Sequence, residues 1–430
     1  NENYRATPRI LDVANSLISC NRNRMEKKLF AHNDSLGKMP VYNHVKKPDD
    51  EAAWICDEIE KLHEAGVKYG DCAVLYRAHY VSRSLEDVFA YKKIPFTLYS
   101  GISFFEREEV KDALSYLRMC IYKDDLSFRR IVNKPRRNIG KSRMGAIEGF
   151  AESTGRTLYD ALCFMYEKDD LILKGTQAKS FIDLVEKFSG KAKEMPASEI
   201  LSHTINESGY EKMLRTEGSQ TRLDNLAELK QAVYEYETTC GEDCPADYFL
   251  SRVAFLSTLD VSGAQDAVKF MTVHTAKGLE FPHVFIASLN EGIFPSRKIK
   301  SPHEMEEERR LCFVAVTRAE KSLYLSDSEG RNLDGSIRYP SRFIFDIDRK
   351  ALEYKTELSD AFKKQAESSY RSFDEVLASR ERTSALKVGD EINHAILGKG
   401  VILEICDDDG AFLVKFKDLP TPRKIRFSKV

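Results

Sequence analysis

A chain of 430 residues, 42% hydrophobic and 31% charged, exceeds what one core can organise, so roughly two to four globular domains are expected. The net charge of −2 offers no global argument for a polyanionic partner, so any nucleic-acid contact has to be local. There is no apolar run of membrane-spanning length and no leader pattern, and the nine cysteines are scattered, which together read as a cytoplasmic protein with free thiols and no membrane partner. Only Cys240 and Cys244 lie close together, with no nearby histidine to complete a zinc set.

The chain opens at "NENYRATPRI" without an initiator methionine, which reads as a piece of something longer. Thr7 as N-cap and Pro8 as first helical residue predict a helix whose apolar stripe is Ile10, Leu11, Ala14, Leu17 and Ile18. A second amphipathic helix covers 51–66 and ends at Gly66. "CAVLYR" (72–77) reads as a buried strand, followed by a helix over "SRSLEDVFAYKK" and a strand at "IPFTLYS". Alternating strands and helices predict a parallel sheet in an α/β layer.

From Glu106 to Ser257 helix follows helix, as in "REEVKDALSYLRMCI" and "TRLDNLAELKQAVYEYET". Strand signals return at 267–274, 283–289 and 322–326, with a helix predicted over 306–320 between the last two. An α/β domain interrupted by a helical insertion accounts for this order. Residues 350–385 are charged and weakly periodic, which predicts a mobile linker. The last segment alternates apolar residues between turns at "LGKG" and "DDDG", the pattern of a small antiparallel β-barrel.

Two stretches carry chemistry. In "VHTAKGLEFPHVFI" (273–286) a polar turn feeds a core strand. A tight glycine turn with solvated charges is one account. The other places a ligand at a sheet edge, with His274 and Thr275 bonding phosphate or sugar and Glu280 accepting from a ribose hydroxyl. In "EEERRLCFVAVTRAE", Arg318 falls on the apolar side of the helix with Leu311, Val314 and Ala315. A core-facing arginine needs an anion: a structural carboxylate such as Glu306 or Glu320, or a phosphoryl group in transfer. "NIGKS" (138–142) mimics a phosphate loop but has Pro135 where the motif needs glycine, and "WICDE" (54–58) fits a helix better than a metal-binding strand end.

"NYRATPRIL", "GISFFEREEVKD", "VHTAKGLEFPHVFIASLNEGIFPS" and "EEERRLCFVAVTRAEKSLYL" follow one another in this order. Together they resemble the carboxyl-terminal half of the UvrD/PcrA/Rep family of superfamily 1 DNA helicases, over residues 1 to about 345. The tail, with "GDEINHAILGKGVI", looks like the Tudor-like barrel that ends many of its members. The resemblance implies a second RecA-like domain at 1–105 and 266–348, a helical accessory subdomain at 106–265, a linker at 349–385 and a Tudor/SH3-like barrel at 386–430.

It also implies roles. Tyr4 would stack on adenine, Arg5 and Arg318 would reach the γ-phosphate as catalytic arginines, and Glu280 would hold the ribose. Arg77, His274 and Thr275, with His79 beside Arg77, would touch single-stranded DNA. The family's Gly-Ile-Gly hairpin contacts duplex phosphates; here Asn138-Ile139-Gly140 stands in its place, among Arg136, Arg137, Lys141 and further basic residues. The implied activity is ATP-dependent 3′-to-5′ translocation and unwinding at single/double-strand junctions. ATP and Mg2+ would be used by the full-length protein, with the phosphate loop and metal ligands on a preceding domain. This chain alone is therefore expected to bind no metal and hydrolyse no ATP, and RNA polymerase or another protein is the implied partner of the barrel. The alternative is a non-catalytic DNA- or protein-binding module derived from a helicase.

Overall fold

The computed structural model describes all residues except 1, 4–5, 23–28, 33–34, 100–101, 192–194, 241–245, 259–265, 333–334, 385, 395, 407–410, 418, 420 and 427–430. For 2–3, 239–240, 255–258, 379–384, 405 and 426 it describes the backbone alone. In chain order come β1 (Glu2–Asn3), α1 (Pro8–Ser19), β2 (Phe30–Ala31), β3 (Val41–Val45), α2 (Pro48–Glu64), β4 (Cys72–Tyr76), α3 (Ser82–Lys92) and β5 (Phe96–Leu98). Then follow α4 (Glu108–Ile121), α5 (Asp125–Ile131), α6 (Lys141–Thr154), α7 (Leu158–Glu167), α8 (Ala178–Ser189), α9 (Ala197–Glu207), α10 (Tyr210–Thr216), α11 (Gln220–Cys240) and α12 (Ala246–Thr258). The chain continues through β6 (Val268–Thr272), β7 (Phe281–Ile286), α13 (Pro302–Val316), β8 (Ala319–Ser328), α14 (Arg342–Asp346), β9 (Glu353–Tyr354) and α15 (Asp360–Ser384). It closes with β10 (Glu391–His394), β11 (Gly398–Cys406), β12 (Ala411–Phe416) and β13 (Arg423–Arg426).

Two compact units result: Asn1–Arg77 with Val268–Val430, and Ala78–Ala267. In the first, β6, β4, β7, β8, β3 and β9 lie side by side in that order, every pair parallel. All these strands therefore end on one edge of the sheet and begin on the other. Their apolar side chains, among them Leu75, Met271, Val284, Ile286, Leu323 and Leu325, fuse with the buried stripe of α1 into one core. Thr7 does sit at the N-cap of α1 with Pro8 behind it, but its hydroxyl makes no capping bond. The "WICDE" stretch is helical: α2 carries acids in its first turn and Lys61 and His63 in its last, matched to the helix dipole. Its Glu51 is fully buried and accepts from Ser288 N and Ser326 Oγ, both at 2.7 Å, bolting the helix start to the ends of β7 and β8.

Two expectations are corrected here, and one element is added. The stretch read as a mobile linker contains the 25-residue helix α15, which buries Ala366, Tyr370 and Leu377. Arg342 anchors that helix, pairing with Glu291 and Asp374 while lying over the rings of Tyr370 and Phe373. Second, α13 stops at Val316, so Arg318 lies in the turn into β8 and not on the helix. The added element is β3, "VYNHV", a buried strand that the sequence pattern did not single out.

The terminal segment is a separate antiparallel sheet in the order β10-β11-β12-β13, with its own core of Ile392, Ile402, Phe412, Val414, Phe416 and Ile425. The second unit is mostly helical and packs around Phe104, Phe128, Phe181 and Phe188. Its charged interior is satisfied: buried Arg83 pairs with Glu228 at 2.6 Å and with Asp87 and Glu235. Among the described cysteines seven are free thiols, while the Cys240–Cys244 pair lies outside the described side chains.

Candidate nucleotide and DNA interface

Residues 273–280 leave the carboxyl end of β6 and reach the amino end of β7, crossing the depth of the sheet, about 20 Å for six strand residues. The crossing is built as a tight turn. Ala276 N donates to Thr272 O at 3.0 Å, Lys277 N to His274 O at 3.3 Å and Leu279 N to Ala276 O at 3.0 Å. Thr275 and Thr272 share a hydroxyl contact of 3.0 Å. Val273 and Ala276 are buried as plugs, while His274, Lys277, Gly278 and Glu280 face solvent. Gly278 has φ +93°, a conformation that side-chain-bearing residues avoid, which is the physical reason for glycine there.

At the amino edge, Arg318 brackets Glu280. Its carbonyl accepts from Phe281 N at 2.9 Å, and its Nη1 donates to Leu279 O at 3.0 Å. Nε donates to Val314 O at 3.0 Å and Nη2 to Thr317 Oγ1 at 3.2 Å, so these guanidinium bonds go to neutral acceptors. The half-buried side chain is thus fixed in direction next to an exposed carboxylate. Tyr4 and Arg5 lie outside the described residues. Thr7, just beyond them, donates its N–H to Glu320 O at 3.2 Å.

At the carboxyl edge, Arg77 follows β4 and His274 follows β6. Arg77 is held by a residue the sequence reading passed over, Glu308 of α13. Its Nη2 meets Glu308 Oε1 at 2.7 Å, and its Nε lies 3.0–3.1 Å from both carboxylate oxygens. Glu308 also accepts from Ser296 N at 3.0 Å, tying in the loop after β7. Partial desolvation and the Arg77 guanidinium push the His274 pKa below the ordinary imidazole value, and Glu308 opposes them. A signal for Glu308 was present: Met305, Glu308, Cys312 and Ala315 share helical spacing, and that is the face α13 buries.

The second unit holds the remaining candidates. His79 is exposed, and its carbonyl accepts from Ser82 Oγ at 2.9 Å and Arg107 Nη2 at 3.1 Å. The basic stretch is sorted unequally. Arg129 pairs with Glu148, Arg130 with Asp112, and Lys134 with Glu108 and Asp112. Arg137, expected on a phosphate surface, is only 4% exposed. Its Nη1 donates to the carbonyls of Ile131, Val132, Lys134 and Pro135, and its Nη2 to Tyr116 Oη. It fastens the loop from inside, with Nη1 and Nη2 both committed to internal acceptors. Arg136, Gly140 and Lys141 are exposed at the start of α6. Asn138 takes φ +59°, where asparagine is tolerated better than most residues, and donates to Gly175 O at 3.1 Å. A left-handed residue is thus kept where the family hairpin has its first glycine.

The model of the family described as UvrD-like helicase C-terminal domain matches residues 1–330. The chain belongs to that family. It is 36% identical over 426 residues to an ATP-dependent DNA helicase PcrA of Staphylococcus epidermidis, covering 95% of this chain and 58% of the relative. It is 35% identical over 428 residues to the protein of that name from Staphylococcus aureus, with the same coverages. The UvrD-like chain thus spans 58% of the length of these curated relatives. A solved C-terminal domain of a possible DNA helicase from Lactobacillus plantarum WCFS1 aligns over 82% of this chain and 99% of its own at 10% identity, with a TM-score of 0.33. No helix among the described residues is long and apolar enough to cross a membrane.

Proposed function

We propose that this UvrD-like chain is the second motor domain, helical accessory subdomain and terminal protein-docking barrel of an ATP-dependent 3′-to-5′ DNA helicase. The observation that carries the proposal is the single crossing at 273–280. It ends at His274 beside Arg77 on one sheet edge and at Glu280 beside Arg318 on the other. A displacement at either end is transmitted through a turn with two buried plugs, so single-stranded DNA and nucleotide are coupled over a few residues. Relatives named ATP-dependent DNA helicase over 95% of the chain support the same reading.

In this reading ATP, with Mg2+ held by a preceding domain, supplies the γ-phosphoryl group. Arg318 and Arg5 stabilise the charge that gathers on its oxygens, and Arg318 exchanges its carbonyl partners for them. Glu280 accepts from the ribose hydroxyls and Tyr4 stacks on the base. Arg77, oriented by Glu308, presents Nη1 to a phosphate, with His274 and Thr275 alongside, and His79 is a further DNA contact. Arg136, Gly140 and Lys141 meet the duplex. RNA polymerase is the proposed partner of the terminal barrel. The test uses the full-length protein on a 3′-tailed duplex. Unwinding that needs ATP supports the proposal, and so does an absence of DNA-stimulated ATP hydrolysis by this chain alone. Hydrolysis by this chain alone contradicts the assigned division of labour.

A further inference from the structure

The hairpin at 138–140 does not stand alone. Asn138 Nδ2 donates to Gly175 O at 3.1 Å, and Gln177 N donates to Arg137 O at 3.0 Å. Arg143 Nε donates to Ile172 O at 2.8 Å, its Nη2 to Lys174 O at 3.0 Å and its Nη1 to Asn138 O at 2.6 Å. Four hydrogen bonds thus staple residues 171–179, more than thirty positions further along the chain, against the hairpin, and a fifth ties Arg143 back to Asn138.

The stapled loop brings two exposed lysines, Lys174 and Lys179, alongside the exposed Arg136 and Lys141. None of the four meets a carboxylate among the described residues, whereas Arg129, Arg130 and Lys134 are all paired with acids. The acids nearest in sequence to the loop are Glu167, Asp169, Asp170 and Asp183, and Asp170 is occupied in accepting from Ile172 N at 3.0 Å. Lys141 and Lys179 each stand in the first turn of a helix that has no acid in that turn. Cations there are disfavoured by the helix dipole, so neither lysine is explained by helix stability.

We infer that residues 171–179, through Lys174 and Lys179, form the second half of a phosphate-binding surface whose first half is Arg136 and Lys141, and that its ligand is the backbone of duplex DNA. The inference rests on the hairpin's proposed role in duplex contact. Two unpaired cations on each of two stapled segments suit successive phosphates, and binding to them depends strongly on salt.

The test is fluorescence anisotropy of a blunt, labelled 20-base-pair duplex with this chain at several salt concentrations. Each variant is checked by circular dichroism for an unchanged fold. Lys174→Ala/Lys179→Ala is expected to raise Kd about fivefold or more and to lower the salt slope by about 1–2. The control is Lys191→Ala, an equal loss per residue just beyond the far end of α8, about 18 Å from Lys179. It should leave Kd unchanged. If Arg136→Ala/Lys141→Ala weakens binding while Lys174→Ala/Lys179→Ala does not, the loop assignment is overturned and the hairpin reading stands. If only the loop variant weakens binding, the hairpin reading fails and the two-segment surface fails with it. If neither does, or Lys191→Ala weakens binding as much as the loop variant, the surface itself is refuted.

Discussion

Replacing Glu308 by alanine removes the carboxylate that holds Arg77 through two nitrogens and Ser296 through its amide. The pair is neither exposed nor fully buried, with side chains 24% and 11% accessible. Surface ion pairs contribute about 0–1 kcal/mol, and breaking a buried pair costs about 3–5 kcal/mol. An intermediate loss of about 2 kcal/mol is therefore expected, most of it from leaving the Arg77 guanidinium and the Ser296 amide without their acceptor. Urea unfolding followed by the single tryptophan, Trp54, which sits on α2 near Tyr324, reads this unit directly. The same variant should lower the His274 pKa further, because Glu308 is the charge that favours its imidazolium. Unfolding within about 0.5 kcal/mol of the parent, or a His274 pKa that rises, would refute the view that Glu308 organises this edge.

Other outcomes follow from the same geometry. Imidazole NMR should place His44 above the ordinary histidine value, because Asp327 and Glu329 outweigh the opposing effect of burial. His274 and His283 should titrate below it, chiefly through desolvation. By linkage, His44 contributes stability at low pH that is lost as pH rises through its raised pKa. His274 and His283 instead cost stability as pH falls from the ordinary value through their depressed pKa values; the opposite order of titration would contradict both accounts. Gly400→Ala should destabilise the terminal sheet by about 1–3 kcal/mol, since a Cβ there would come within 2.6 Å of Val414 and 2.8 Å of Phe416. A hydrogen-exchange profile of β11 and β12 unchanged by that substitution would remove the packing argument.

Much of the fold was readable because apolar spacing carried it: α1, α2, β4, β6 and β7 all lie where their patterns put them. β3 was not, because Asn43 and His44 interrupt its apolar run. His44 makes sense only once Asp327, 283 residues away, is seen to meet it at 2.9 Å, and Asn43 once it accepts from Thr356 Oγ1 at 3.1 Å. The helix before Arg318 looked continuous through "TRAE", since nothing local marks Thr317 as its end. The end is set by β8 pairing with β7, which draws Ala319 against Phe281. The α15 stretch looked mobile because its buried residues are few and its anchor, Arg342, lies outside the segment.

The candidate site divides in the same way. The turn at 273–280 was legible as a glycine turn, and Gly278 has the positive φ such a turn needs. The basic stretch was not: seven cations in a row gave no hint that Arg137 is internal or that Arg143 is spent on carbonyls. Nor could Lys174 and Lys179 be assigned to that surface before the loop hydrogen bonds were known.

The most direct measurement is steady-state ATP turnover of the full-length protein with and without single-stranded DNA, comparing the parent with Arg318→Ala. If Arg318 acts on the γ-phosphoryl group, the variant binds nucleotide as before while its DNA-stimulated turnover falls by about 10³-fold or more. Turnover equal to the parent would mean that Arg318 only braces the Leu279–Phe281 turn, and the account of this chain as the second half of an ATP-driven motor would fail.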